Sequence, residues 1–122
     1  MTLLLVIYNR CMQQITDAHR SLDSIDRLRS LYSSGYRSEA IDRSIAKLLG
    51  IERFAIERQL ADLQSHLTAY ETQFAMLSAD FYSQFKSGKL GDDVDYFEWA
   101  VYYEMCNSAL SHLALLDQTL TQ

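Results

Sequence analysis

The sequence contains no proline and only four glycines (Gly35, Gly50, Gly88 and Gly91). A β-rich or loop-rich fold of this length needs more turn-forming residues, so long helices are predicted. Hydrophobic residues make up 48% and charged residues 22% of the chain, which excludes a disordered sequence. We therefore expect residues 1–122 to form a single all-α domain that is large enough to bury a core.

Cysteine is also scarce, because the chain has only Cys11 and Cys106, far apart and outside any CxxC pair. This usage predicts reduced thiols, a cytoplasmic protein and no structural zinc. The only long apolar run, residues 2–8, is shorter than the about 20 residues of a membrane span, and it lacks the basic region of a signal peptide. It is interpreted as a buried strand or as the first turns of a helix, and no membrane role is expected.

Basic residues are few in the second half of the chain. Residues 59–122 hold two Lys or Arg against nine Asp or Glu, a net charge of −7, whereas residues 1–58 hold nine against seven, a net charge of +2. An acidic half can meet a basic partner surface through electrostatic complementarity. The basic half leaves nucleic-acid binding open as an alternative, at Arg37, Arg43 and Lys47, although interleaved acids weaken a phosphate-binding surface.

Apolar residues recur at helical spacing in the first third of the chain. A helix is predicted over residues 10–32, with its apolar face at Ile15, Ala18, Leu22, Ile25, Leu28 and Leu31 or Tyr32. The sequence Ser33-Ser34-Gly35 ends this helix. Ser38, followed by an acid, is a suitable N-cap for the next one.

A heptad pattern is the clearest signal of the second helix. Its apolar residues follow one another at alternating steps of four and three, at Ile56, Leu60, Leu63, Leu67, Tyr70, Phe74 and Leu77, with an N-terminal extension at Ile45 and Leu49. Such a seam packs lengthwise on another helix. An internal hairpin and a coiled-coil dimer both fit the pattern. We favour a dimer, with residues 56–74 as its seam, because so long a helix exceeds what the rest of the chain can cover.

Two further helices are predicted after residue 77. Ser78 is suited to cap a short third helix, which ends where Gly88 can take the left-handed C′ position. After Gly91, Asp92 or Asp93 can cap a long fourth helix over residues 94–120. The apolar stripe of this helix (Trp99, Tyr103, Cys106, Leu110 and Leu113) is widened by Phe97, Val101 and Met105, which predicts contact with two neighbours.

Catalytic and cofactor motifs are missing from the sequence. The three histidines lie outside HExxH and outside metal spacing with cysteine, and there is no glycine-rich phosphate loop, no GxSxG and no evident Cys/His dyad. The acids at 92–98 do not have the spacing of an EF-hand loop, and helix capping explains them. We therefore expect no enzyme, no cofactor and no metal site.

Aromatic residues are concentrated instead, with nine of them within residues 74–103. Most are expected in the core, but exposed Tyr and Trp are typical binding anchors. Combined with the neighbouring acids, they predict a partner-binding surface at Phe81, Tyr82, Phe85, Asp92, Asp93, Asp95, Glu98, Trp99 and Tyr102.

The stretch from Phe74 to Trp99, FAMLSADFYSQFKSGKLGDDVDYFEW, resembles small helical prokaryotic proteins with the pattern SxxFYxxFxxGxLGDDxDxFEW after a coiled-coil helix. The run SIAKLLG at residues 44–50 and ERQL at residues 57–60 are also similar. Proteins of this kind are regarded as antitoxin-like members of toxin–antitoxin pairs. The resemblance implies a cytoplasmic protein that neutralises a cognate toxin by direct binding and regulates its own operon.

Three functions therefore remain, in order of preference. The first is a non-enzymatic, dimeric, antitoxin-like binding module. The second is a structural homo-oligomeric coiled-coil protein, and the third is a DNA-binding regulator that uses the basic region at residues 37–58.

Overall fold

The computed structural model describes residues 2–117, and its four helices confirm the all-α prediction. They are α1 (Thr2–Ser33), α2 (Glu39–Phe74), α3 (Ser78–Lys86) and α4 (Val94–Asp117). Residues 118–120 of the predicted fourth helix lie outside the described part. The chain divides into two compact units, Met1–Arg43 and Ser44–Gln122, and the expectation of one domain stays a prediction.

The first unit contains α1, which begins eight residues before the predicted start. Residues 2–8 are helical and exposed, so the interpretation as a buried strand is wrong and the helical alternative is confirmed. No residue of α1 is buried. The predicted break follows, because Gly35 has a φ of +101° and its N–H donates to the carbonyl of Tyr32, 3.1 Å away.

Ser38 caps α2 as predicted. The backbone N–H of Ile41 donates to Ser38 Oγ at 3.3 Å, which satisfies one of the free amides of the first turn. The Tyr32 hydroxyl donates to Asp42 Oδ1 at 2.6 Å and lies 2.9 Å from the Ser38 carbonyl oxygen. The hydrogen bond to Asp42 is the main reason that the pKa of Tyr32 is raised. The turn before α2 is thus held by side chains as well as by backbone geometry.

The core of the second unit lies between α2, α3 and α4. Leu63 and Leu67 of α2 are buried together with Phe81 of α3 and with Trp99, Ala100 and Cys106 of α4. The helices α2 and α4 run antiparallel, since Tyr70 contacts Glu98 whereas Arg53, further back along α2, forms an ion pair with Asp117. This arrangement is the internal hairpin that the heptad pattern allowed.

The heptad seam is therefore used within one chain. Its residues Leu60, Tyr70 and Phe74 pack against the core around Leu63 and Leu67, and Ile56 is half-buried. In the middle of the seam, Leu63 and Leu67 are buried against α3 and α4. A dimer that uses this seam stays a prediction.

The prediction that Ser78 is the N-cap of α3 is wrong. Ser78 is the first residue of α3 rather than its N-cap, which is Leu77 without a side-chain capping bond. Ser78 is instead buried, where its hydroxyl accepts from Trp99 and its N–H donates to Glu71 Oε2 at 2.8 Å. Hydrogen bonding in the core thus takes the place of the expected cap.

The turn between α3 and α4 agrees with the sequence. Gly88 has a φ of +76°, and the next residue, Lys89, donates its N–H to the carbonyl of Gln84 at 3.1 Å. Asp93 caps α4, because its Oδ1 accepts from the N–H of Asp95 at 3.0 Å. Within residues 2–117, every helix is too short or too polar to cross a bilayer.

Candidate protein-binding face

Two of the predicted binding anchors, Phe81 and Trp99, form the centre of the core. Both side chains have an exposed fraction of 0%, and their rings stack with centroids 3.8 Å apart and planes within 6°. The prediction that they contact a partner directly is therefore wrong, and both side chains instead support the surface from within the core. They fix α3 against α4, and so determine where the surface residues of both helices lie.

Phe85, a predicted anchor of α3, links this core to the surface of α4. It is half-buried, with its ring 5.6 Å from the Phe81 ring. On its other side it meets exposed Phe97 edge-on, at a centroid distance of 5.4 Å and 90° between planes. Edge-to-face packing is favourable for aromatic rings. Phe85 therefore holds the Phe97 ring in place at the surface.

Tyr70 of α2 contacts both the core tryptophan and an acidic side chain of α4. Its ring stacks on Trp99 at 5.7 Å, and its hydroxyl donates to Glu98 Oε2 at 2.8 Å. Burial, followed by the hydrogen bond to Glu98, raises the pKa of Tyr70 to about 12. Tyr70 is thus a neutral donor at neutral pH, and Glu98 is held beside α2 in a defined orientation.

Tyr102, one turn further along α4, is positioned by His66 of α2. The two rings stack in parallel, with centroids 4.4 Å apart and planes within 4°. The His66 Nε2 also lies 3.8 Å from a carboxylate oxygen of Asp62. A planar stack of this kind restricts both side chains, so the half-buried Tyr102 is held in one orientation on α4.

Tyr82 of α3 binds an acidic side chain of α4, as Tyr70 of α2 does. Its hydroxyl donates to Glu104 Oε1 at 2.6 Å, and Lys86 Nζ lies 3.8 Å from the same oxygen. The hydrogen bond to Glu104, followed by burial, raises the pKa of Tyr82. Glu104 is absent from the sequence-predicted site, and no local pattern distinguishes it, because its partners come from another helix.

The acidic loop before α4 is only partly available to a partner. Asp92 and Asp93 are exposed, but the Asp93 carboxylate caps the helix. Asp95 is half-buried and accepts from Gln73 Nε2 at 3.4 Å. Residues 2–117 contain no group of three or more His, Cys, Asp or Glu that is arranged around a common point as metal ligands would be.

An apolar stripe runs along the outer side of α4, opposite the core. It consists of Phe97, Val101 and Met105, whose exposed fractions are 52%, 53% and 41%. With Glu98 and Tyr102 these side chains line a shallow, open depression of about 430 Å³. The width of the apolar stripe in the sequence predicts that α4 contacts two neighbours, and α4 does contact both α2 and α3. Apart from the contact of Phe97 with Phe85, the stripe stays largely exposed within residues 2–117.

Acidic residues flank the apolar stripe on both sides. Glu98 lies on the side of α2 and Glu104 on the side of α3, as their hydrogen bonds to Tyr70 and Tyr82 demonstrate. We call these two residues the acidic rim. The described helix α4 contains no Lys or Arg, so no residue of this helix neutralises the rim. Lys86 of α3 approaches Glu104.

The basic residues suggested for nucleic acid are largely engaged with their own surroundings. Arg37 donates to the carbonyls of Tyr32 and Tyr36 and lies over the Tyr32 ring at 4.9 Å. Arg43 pairs with Glu39, and Lys47 is exposed. A guanidinium that already has acceptors gains less from a phosphate, so this region has weaker support as an interface than α4 has.

Comparison of the chain with models of protein families, with curated proteins and with solved structures gives no match. The candidate site therefore depends on geometry alone. Helix α4 presents an apolar stripe of about 12 Å, estimated from a rise of 1.5 Å per residue, with acids on both sides and a rigid aromatic support beneath. An open strip of this shape is better suited to bind a protein surface than to enclose a small molecule.

Proposed function

We propose that this protein is a non-enzymatic binding module that neutralises a cognate toxin by direct contact. The observation that carries the proposal is the apolar stripe of Phe97, Val101 and Met105, exposed between the carboxylates of Glu98 and Glu104. Interface hot spots are apolar or aromatic side chains within a polar boundary, and this arrangement has both.

The acidic rim indicates the chemistry of the partner. Residues 59–122 carry a net charge of −7, and the described part of α4 has no basic residue. The partner surface should therefore combine an apolar groove or ridge with Lys or Arg at its edges. A toxin that binds RNA phosphates through basic residues has such a surface, and occupation of it would block the RNA.

The resemblance of residues 74–99 to antitoxin-like proteins supports a toxin as that partner. The fold explains the motif in physical terms: its Ser78, Phe81 and Trp99 form the core, its Gly88 ends α3 and its Asp93 caps α4. The motif thus specifies the platform that holds α4. We propose a cytoplasmic location on the same grounds.

Co-expression with the product of the neighbouring gene tests the proposal. The neighbour should arrest growth when it is expressed alone, and this chain should restore growth by forming a complex of defined stoichiometry. Val101→Glu should abolish the rescue, because it introduces a charge at the centre of the stripe. Leu48→Glu is the matched control, since Leu48 is an exposed leucine of α2 in the same unit but distant in sequence from the stripe.

Three results would contradict the proposal. The neighbour could be harmless, this chain could fail to bind it, or Val101→Glu could rescue growth as well as the unmodified chain. In each variant the helical content should be compared with that of the unmodified chain, so that a loss of binding is separated from a loss of fold.

A further inference from the structure

Helix α1 has no packing partner among the described residues that would account for its stability. It extends over 32 residues without a single buried one. Helices in water gain most of their stability from packing an apolar face, and propensity alone supports an isolated helix only marginally. α1 does have an apolar face, and it is exposed: the exposed fractions of Tyr8, Ile15, Leu22 and Ile25 lie between 54% and 61%.

The exposed face of α1 follows a heptad repeat. Positions a and d are occupied, at alternating steps of four and three, by Leu4, Tyr8, Cys11, Ile15, Ala18, Leu22, Ile25 and Arg29. The region from Leu4 to Arg29 is about 39 Å long at 1.5 Å per residue. Such a repeat packs against another helix with the same repeat. We infer that α1 pairs with α1 of a second copy of this chain, as an antiparallel two-stranded coiled coil.

Side-chain size favours the antiparallel direction. In antiparallel pairs, a positions face d positions, and Ile15 then faces Ala18 of the second copy while Leu22 faces Cys11. Every large residue at the centre of the seam therefore meets a small one, and the layers have similar volume. A parallel pair would instead place Ala18 on Ala18 and Cys11 on Cys11, which leaves two poorly filled layers.

Charge favours the same direction. A parallel pair would place Arg29 against Arg29, whereas the antiparallel pair places Arg29 against Leu4 near the end of the seam, where a long side chain can reach water. The flanking g positions then pair Ile7 with Leu28 and Gln14 with Ser21. Most other charged residues of α1 (Arg10, Asp17, Arg20, Asp23 and Arg27) lie at b, c and f positions, away from the contact.

The area of the contact is adequate for a stable dimer. Leu5, Ile7, Met12 and Leu28 border the seam, and all are exposed. With about 60–100 Å² of apolar surface for each large side chain, the seam and its borders bury about 600–900 Å² per copy. Stable protein interfaces bury about 800 Å² per partner.

The full-length chain without any partner provides the test, by analytical ultracentrifugation over a range of concentrations. The unmodified chain should sediment as a dimer. Leu22→Glu should raise the dimer dissociation constant about 100-fold or more, because it places two carboxylates in the seam. Val6→Glu is the matched control, because Val6 is an equally exposed apolar residue at an outer f position, and it should leave the dimer intact.

Cysteine cross-linking tests the direction. In the variant Leu22→Cys, the introduced thiol should form a disulfide with Cys11 of the other copy under mild oxidation, since facing residues come within the about 4 Å that Cβ atoms of a disulfide require. The unmodified chain should not form a disulfide between the two copies of Cys11. A monomer at about 100 μM or a dimer that survives Leu22→Glu would overturn the inference. A rapid disulfide between the two copies of Cys11 in the native dimer would overturn its antiparallel direction.

Discussion

The indole Nε1–H of Trp99 donates a hydrogen bond of 2.9 Å to the hydroxyl oxygen of Ser78, and both side chains are buried. The contact joins the first residue of α3 to the first turns of α4, 21 positions further along the chain. It also satisfies the only polar atom of the largest core side chain. Ser78 therefore selects one orientation of the indole ring, and with it the direction in which α4 presents its outer face.

Ser78→Ala should lower the free energy of unfolding by about 1–3 kcal/mol, because it leaves a buried N–H without an acceptor. Chemical denaturation measures the effect, with Ser83→Ala, an exposed site in the same helix, as the control. In a Trp99→Phe background, which has no indole donor, the loss on changing Ser78 should be smaller. An equal loss in both backgrounds would show that the hydrogen bond is unimportant.

Ala75→Gly should stabilise the fold, because Ala75 terminates α2 with a φ of +52°. The left-handed region costs about 1–2 kcal/mol for a residue with a Cβ atom, and glycine adopts it freely. Ala79→Gly, within α3, makes the same chemical change at a helical residue and should destabilise by up to about 1 kcal/mol. Thermal unfolding of both variants measures the difference. Effects of the same sign would contradict the assigned backbone conformation.

The free energy of unfolding should decrease above pH 10, because Tyr70 of the unfolded chain then loses its proton before Tyr70 of the folded chain does. The pKa of Tyr70 is raised to about 12 in the fold by burial and by the Glu98 carboxylate, whereas an unfolded tyrosine has a pKa of about 10. The folded state therefore binds the proton more tightly, and this stabilising contribution is complete below pH 10 and is lost as pH rises towards 12.

Tyr70→Phe retains the aromatic ring and removes the titrating hydroxyl. Its unfolding free energy should thus depend less steeply on pH between 10 and 12 than that of the unmodified chain. Urea denaturation at several pH values provides the comparison. Equal slopes for the two proteins would mean that Tyr70 does not contribute to alkaline unfolding.

Replacement of Asp92, Asp93 and Asp95 by Asn should slow association with the proposed toxin by about tenfold at low ionic strength and reduce its salt dependence. Asparagine is as good an N-cap as aspartate, so residue 93 should still cap α4 in this variant. Stopped-flow association at two salt concentrations measures both quantities. An unchanged rate at low salt would count against recognition of a basic partner surface by these acids.

Much of the fold was predictable because its signals are local. The absence of proline, the heptad spacing of α2, the glycine after α3 and the aspartate before α4 each act on neighbouring backbone atoms. Ser78 was assigned incorrectly for the same reason. As a serine before an acidic turn it matches an N-cap, but the indole that competes for its hydroxyl lies in another helix.

Local patterns in the chain suffice to predict that it is helical and where its helices break, because periodicity and capping depend on near neighbours. They also place the aromatic and acidic residues between residues 74 and 104. Which face of each helix is covered follows from the packing of the helices in the folded protein. This packing places Phe81 and Trp99 in the core, buries the middle of the α2 seam, and leaves Val101 and Met105 exposed. Burial depends on contacts between residues that are distant in sequence, and an apolar residue at helical spacing is equally suited to a core or to a partner.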